Sequence, residues 1–251
     1  MFDSHCHLDA MGVDVGRSLV DAAAVGVTRV VTVGDTLASS QWCADTAAAH
    51  PQVVAAVAVH PNEVGDIDES TWDGLAELAT RPEVRAIGET GLDYYWGRVP
   101  EPVQQEAFRR HIALAKEHDK ALVIHDRDAH ADVLRVLAEE GAPERTVFHC
   151  FSGDAEMARE CVRAGYVLSF AGTVTFKNAP ALREAAAVTP LEQLLVETDA
   201  PFLTPVPYRG RPNAPYLIPL TVRVLADVKS VHIEQLCEKV THTGQRIFGI
   251  W

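Results

Sequence analysis

Eight short apolar runs, rich in β-branched residues, alternate along this chain with Ala-rich amphipathic segments. The runs cover residues 1–7, 27–33, 53–60, 84–89, 121–125, 146–150, 166–170 and 194–197. The segments between them repeat apolar residues with helical spacing over 15–25, 39–50, 70–80, 102–118, 128–140, 154–164 and 179–187. Two further helices are expected over 216–229 and 233–248. Strand–helix alternation builds βαβ units around a parallel sheet. Eight such units close most naturally into an α/β fold of one kind, a single (β/α)8 TIM barrel, here followed by C-terminal helices. A doubly wound open sheet also fits the periodicity. The 251 residues suit one barrel domain spanning 1–251.

Local signals agree with the boundaries. Gly26, Gly141 and Gly165 follow helical segments where a left-handed cap is expected, and Ser39 and Asp154 are suited to N-caps. Residues 204–219 hold Pro205, Pro207, Pro212, Pro215 and Pro219 and read as a long loop after the eighth strand.

Composition narrows the class of partner. A net charge of −13 excludes a protein that coats long nucleic acid with its whole surface, though not one with a small positive pocket around bound metal. The longest apolar stretches have strand length, well short of the about 18 residues of a membrane span. The N-terminal MFDSHCHLD has no basic region followed by an apolar stretch, so no signal peptide is visible. The cysteine count is five, an odd number, with no Cys-x-x-Cys pair, which favours reduced thiols. Together these place the protein in the cytoplasm. Cys6 and Cys150 neighbour histidines. Strand alternation turns them toward the helices as packing residues.

The chemistry lies in where the histidines and acids fall. His5 and His7 close the first run, His60 the third, Glu89 the fourth, His125 the fifth and His149 the sixth, and Asp199 follows the eighth. In a parallel barrel those strand ends share one face, where active sites are built. His5 and His7, two apart on a strand, point the same way and suit a divalent ion. Asp3 shares their face, deeper, where it can orient a ligand histidine. Glu89 has two carboxylate oxygens with which to bridge two metals, and Asp199 can both ligate and accept a proton. His60 is read as a substrate or supporting residue. His50, His111, His118, His130, His232 and His242 fall on helices or their ends and are expected to be surface or helix-end residues. Arg127, Lys177, Arg209, Arg211 and Asn213 lie on the same presumed face. Arginine forks among them match phosphate or carboxylate.

At this point the motifs DSHCHLD, AVHPNE, AIGETGLDYYW, PVQQEAF, LVIHDRDAH, VFHCFSG, SFAGTVTFKNA and LLVETDAPFLTPVPYRGRPNAP, in this order, resemble the TatD family of metal-dependent deoxyribonucleases over residues 2 to about 220. The resemblance implies His5, His7, Glu89, His125, His149 and Asp199 as metal ligands. Glu89 stands at the strand end where many related amidohydrolase barrels carry a carbamylated lysine. It also implies hydrolysis of DNA phosphodiesters, often from the 3′ end of a single strand, with two divalent ions, Mg²⁺, Mn²⁺ or Zn²⁺, activating water. In that reading Glu89 and Asp199 are catalytic, and His60, Arg127, Lys177, Arg209 and Asn213 bind substrate. Short or single-stranded DNA is the expected partner, with no membrane and no obligate protein partner. Ala214 stands where the family more often has an acid, and Thr243 where it usually has Asn. The alternative enzyme is a metal-dependent hydrolase of an amide, an ester or a small phosphoester. A catalytically idle barrel serving as a scaffold is the third reading.

Overall fold

The computed structural model describes residues 1–251. The strands are β1 (Phe2–Cys6), β2 (Arg29–Val33), β3 (Val53–Val57), β4 (Val84–Asp93), β5 (Ala121–Arg127), β6 (Thr146–Phe148), β7 (Val167–Phe170) and β8 (Leu194–Val196). The helices are α1 (Val15–Ala24), α2 (Leu37–Ala49), α3 (Glu69–Ala79), α4 (Glu101–Glu117), α5 (His130–Glu140), α6 (Ala155–Arg163), α7 (Pro180–Val188), α8 (Ile218–Lys229) and α9 (Ile233–Phe248). One eight-stranded sheet holds the strands in chain order, β1 to β8. A helix follows each strand, and β3–β4, β4–β5, β5–β6 and β7–β8 pair in parallel. This is the (β/α)8 barrel that the alternation predicts. No helix is long and apolar enough to cross a membrane.

The chain packs as two compact units, residues 1–31 with 149–251, and residues 32–148. In the first, the end of β1 meets the segment after β8. Asp199 N donates to His5 O (2.9 Å), His7 N donates to Ala200 O (2.8 Å), and Cys6 bridges Ala200 in parallel. The core beneath β1 is aromatic: Phe2 stacks on Phe248 (5.7 Å between centroids) and meets Trp251 edge-on (5.2 Å). A Cβ at Gly244 of α9 would stand 2.9 Å from the Phe2 ring, so only glycine lets the helix come this close.

In the second unit β4 is the longest strand and is buried almost throughout. Its register with β5 shifts between Ile87 and Thr90. Such an irregularity re-aims the side chains beside it, and here it lies at Glu89.

Several expectations need correcting. β4 continues four residues beyond Glu89, to Asp93, while β3 stops at Val57 and leaves His60 in the following turn. Thr36, not Ser39, is the N-cap of α2. Ser39 sits three residues in and completes a capping box with Thr36. Pro219 falls in the first turn of α8, where its missing N–H costs no helical bond. His111 is fully buried rather than at the surface: Nε2 accepts the Val59 N–H (3.2 Å), while Nδ1 lies 2.9 Å from Ala107 O and 2.8 Å from Thr90 Oγ1. Cys6 packs against Val31 O as a buried thiol. Cys150 lies beyond the end of β6 with a φ of 41°, so strand alternation does not govern it, and it is only half-buried.

Candidate metal centre

In the first unit β1 presents His5 and His7 on one face, as period-two spacing requires. His5 Nε2 lies 3.3 Å from His7 Nε2 and 3.7 Å from Asp199 Oδ1, and His7 Nε2 lies 3.5 Å from the same oxygen. A tetrahedral ion with bonds of about 2.1 Å holds its donors roughly 3.4 Å apart. The three atoms form a triangle of that size, so the residues fit a divalent cation. All three residues are buried. His149, one residue past β6, stacks its ring on His5 at 3.9 Å, and Glu197 joins these two in a second cluster of potential donors.

A buried carboxylate stands behind each part of this arrangement. Glu197 Oε1 accepts the Cys150 backbone N–H (2.7 Å) and lies 3.3 Å from His149 Nδ1. A carboxylate on one imidazole nitrogen sets the ring's orientation and leaves the other nitrogen to ligate. Asp3 acts differently from the expected histidine orienter. Its oxygens take Thr198 N (2.9 Å), Thr198 Oγ1 (2.7 Å) and the backbone N of His5 (3.4 Å), so it ties β1 to the segment that carries Asp199. Complete burial pushes the Asp3 carboxyl up to about 7, outweighing the hydrogen bonds from Thr198.

The second unit carries its own set. Glu89 lies between two imidazoles, with Oε2 3.6 Å from His125 Nδ1 and Oε1 3.9 Å from His60 Nε2. Both gaps are too long for hydrogen bonds, and that to His125 matches the spacing of two donors on one ion. His125 Nε2 lies 3.1 Å from Asp93 Oδ2, and Asn62 Nδ2 donates to the same oxygen at 3.0 Å. Burial alone raises the Asp93 carboxyl. The hydrogen bond and charge of His125, with Asn62, outweigh it and hold the group down to about 2. Asp93 thereby directs the Nδ1 side of His125 toward Glu89. His60 Nδ1 accepts the Asn62 backbone N–H (3.0 Å), so the neutral ring carries its proton on Nε2, on the Glu89 side.

Asp93 and Glu197 were not among the residues expected from sequence. Asp93 was detectable, since Glu89, Gly91 and Asp93 follow the period of one strand face. Glu197 was not, because a carboxylate two residues before Asp199 at a strand end has no distinguishing spacing.

The predicted substrate contacts divide. Arg127 is exposed, with its guanidinium 3.9 Å from the Tyr95 ring centroid. Arg209 lies 4.0 Å over Phe176, Arg211 lies 5.8 Å from the Tyr208 centroid, and Lys177 is exposed. Asn213 is instead a buried clamp. Its Nδ2 donates to Thr198 O and Phe202 O, both at 2.7 Å, and its Oδ1 accepts the Ala214 N–H (2.9 Å). Both amide donors are spent on backbone, which removes them from substrate. Thr243 is buried, with its hydroxyl 3.3 Å from Glu192 O, and Ala214 is buried at the turn leading into α8.

The family model for TatD related DNase matches residues 2–249. The metal-dependent hydrolase TatD of Mycobacterium tuberculosis is 50% identical, over 100% of this chain and 98% of its own length. The metal-dependent hydrolase YabD of Bacillus subtilis is 39% identical, over 100% and 99%. Among solved structures, the TatD homologue YjjV of Escherichia coli superposes with a TM-score of 0.95 at 27% identity, covering 100% of this chain and 98% of that one. A family model matched over nearly the whole length, and relatives this similar end to end, lead to one assignment: the chain belongs to the TatD-related DNase family of metal-dependent hydrolases.

Proposed function

We propose that the protein is a deoxyribonuclease that hydrolyses phosphodiester bonds from the 3′ end of single-stranded DNA, using two divalent ions held by His5, His7, Glu89, His125, His149 and Asp199. The observation that carries this reading is the His5–His7–Asp199 triangle, whose donor spacings of 3.3, 3.5 and 3.7 Å suit a cation. Glu89 and His125 offer a second pair at cation spacing. When bound, such ions supply Lewis acidity at phosphorus and lower the pKa of water.

The chain's own residues do the rest. Asp199, with Oδ1 turned to both histidines, accepts the proton of the attacking water. Glu197 and Asp93 keep His149 and His125 in fixed orientation. The Nε2 proton of His60 gives a neutral donor for an oxygen of the scissile phosphate. Arg127, Lys177 and Arg209, all exposed, supply the cations a phosphate chain requires.

The test uses 5′-labelled single-stranded DNA with metal-stripped protein, restoring Mg²⁺, Mn²⁺ or Zn²⁺ in turn and taking Glu89→Gln as control. A ladder that shortens from the 3′ end, only with metal and only in the native protein, is expected. Stoichiometric metal binding with no cleavage of DNA would overturn the nuclease reading and move the substrate to an amide or ester.

A further inference from the structure

Directly beyond Asp93 the chain displays Tyr95 and Trp96, which are 55% and 52% exposed. Their rings meet edge to face at 5.0 Å. Two guanidinium groups attend them. Arg127 lies 3.9 Å from the Tyr95 centroid and 5.5 Å from that of Trp96, and Arg98 lies 5.3 Å from Trp96. Neither arginine is in a salt bridge, so a protein with a net charge of −13 carries here two unneutralised cations beside two half-exposed aromatic rings.

The display is anchored from beneath. Asp93 Oδ1 accepts the backbone N–H groups of Tyr95 (3.0 Å) and Trp96 (3.3 Å), and Tyr94 N donates to Arg127 O (3.0 Å). Gln104 binds Asp93 N, Asp93 O and Val99 O, and Tyr94 Oη donates to Asp132 (2.9 Å). The backbone order needed for binding is therefore already present. The other oxygen of Asp93 faces His125, so one carboxylate joins the aromatic pair to the candidate ligand set.

We propose that Tyr95 and Trp96, with Arg98 and Arg127, form a stacking platform that holds the unpaired bases of a single-stranded nucleic acid end. Aromatic rings take base faces irrespective of sequence, and the guanidiniums take the intervening phosphates. A duplex keeps its bases stacked on one another and offers neither ring a face. The proposal rests on the nuclease reading for its choice of ligand. It assigns to this loop the preference for unpaired ends.

The experiment uses the full-length, metal-loaded protein and cleavage-resistant strands, so that binding is read apart from hydrolysis. Fluorescein-labelled phosphorothioate pentathymidylate is compared by anisotropy with an abasic phosphorothioate backbone of the same length. The native protein is expected to bind the base-bearing strand about tenfold more tightly or better. Tyr95→Ala with Trp96→Ala brings that ratio to near one, and Trp96→Phe, which retains a ring, preserves most of it. Arg98→Ala with Arg127→Ala weakens both strands alike and flattens the salt dependence. Equal binding of the two strands by the native protein, no binding of either, or a base preference that survives loss of both rings overturns the platform. Cleavage of DNA by a protein without base preference would sink the platform alone. A base preference in a protein that cleaves no DNA would sink the nuclease reading alone.

Discussion

Gly91 of β4 faces the main-chain carbonyl of His125 on β5 so closely that a Cβ at Gly91 would stand 2.1 Å from that oxygen. Its φ of 134° is also one that side chains rarely adopt. The glycine thus allows the strand carrying Glu89 to lie against the strand carrying His125. Gly91→Ala is expected to cost about 2–4 kcal/mol in urea unfolding, because backbone rather than a flexible side chain must move. Metal content should fall with it. An unchanged midpoint would mean that the strands part without penalty.

Asp93 couples to His125 through one oxygen and to Asn62 through the same atom. Asp93→Asn keeps the shape but replaces a carboxylate with an amide. Loss of such a supporting carboxylate typically weakens metal binding about 10–100-fold. Competition against a chromogenic chelator measures this directly. Affinity equal to that of the native protein would remove Asp93 from the centre.

Asn213 supplies a contrary case, a polar residue whose bonds are all internal. Asn213→Ala leaves the carbonyls of Thr198 and Phe202 without their donor. The expected loss is about 2–4 kcal/mol of stability. The KM for DNA of the folded fraction should stay within about twofold, since uniform substrate binding is what KM reports. A raised KM at full stability would restore Asn213 to the substrate contacts.

His111 makes stability depend on pH. Burial holds its pKa down to about 3, against 6.5 for a solvent-exposed imidazole. Between those values the unfolded chain binds more protons than the folded one, so stability is complete above pH 6.5 and is lost as pH falls through the window. The limiting slope is about 1.4 kcal/mol per pH unit. Native protein should therefore lose about 2 kcal/mol more than His111→Gln between pH 6.5 and pH 5 in urea unfolding. Parallel pH profiles would show that the ring titrates without opposing the fold.

The barrel was legible because each strand and helix repeats a local period, and eight repeats of the same pattern leave few topologies. The gathering of His5, His7 and Asp199 was legible because polar side chains at strand ends interrupt apolar runs. What stayed hidden depends on partners distant in sequence. Nothing near Asn213 indicates that Thr198 and Phe202 will occupy its amide. The burial of His111 on an apparently amphipathic helix follows from its bond to Val59, far away in the chain. Asp3 illustrates the same limit: its face was readable, and its partner Thr198 was not.

The aromatic seat of β1 carries an implication for the order of synthesis. Phe2 lies on Phe248 and Trp251, and Gly244 closes over it. Translation makes the strand bearing His5 and His7 well before these supports. Until Asp199 and Phe248 have been made, the two histidines have neither their floor nor their carboxylate partner beside them. The donor triangle is therefore completed only when α9, made long after β1, has packed beneath the strand that carries the two histidines.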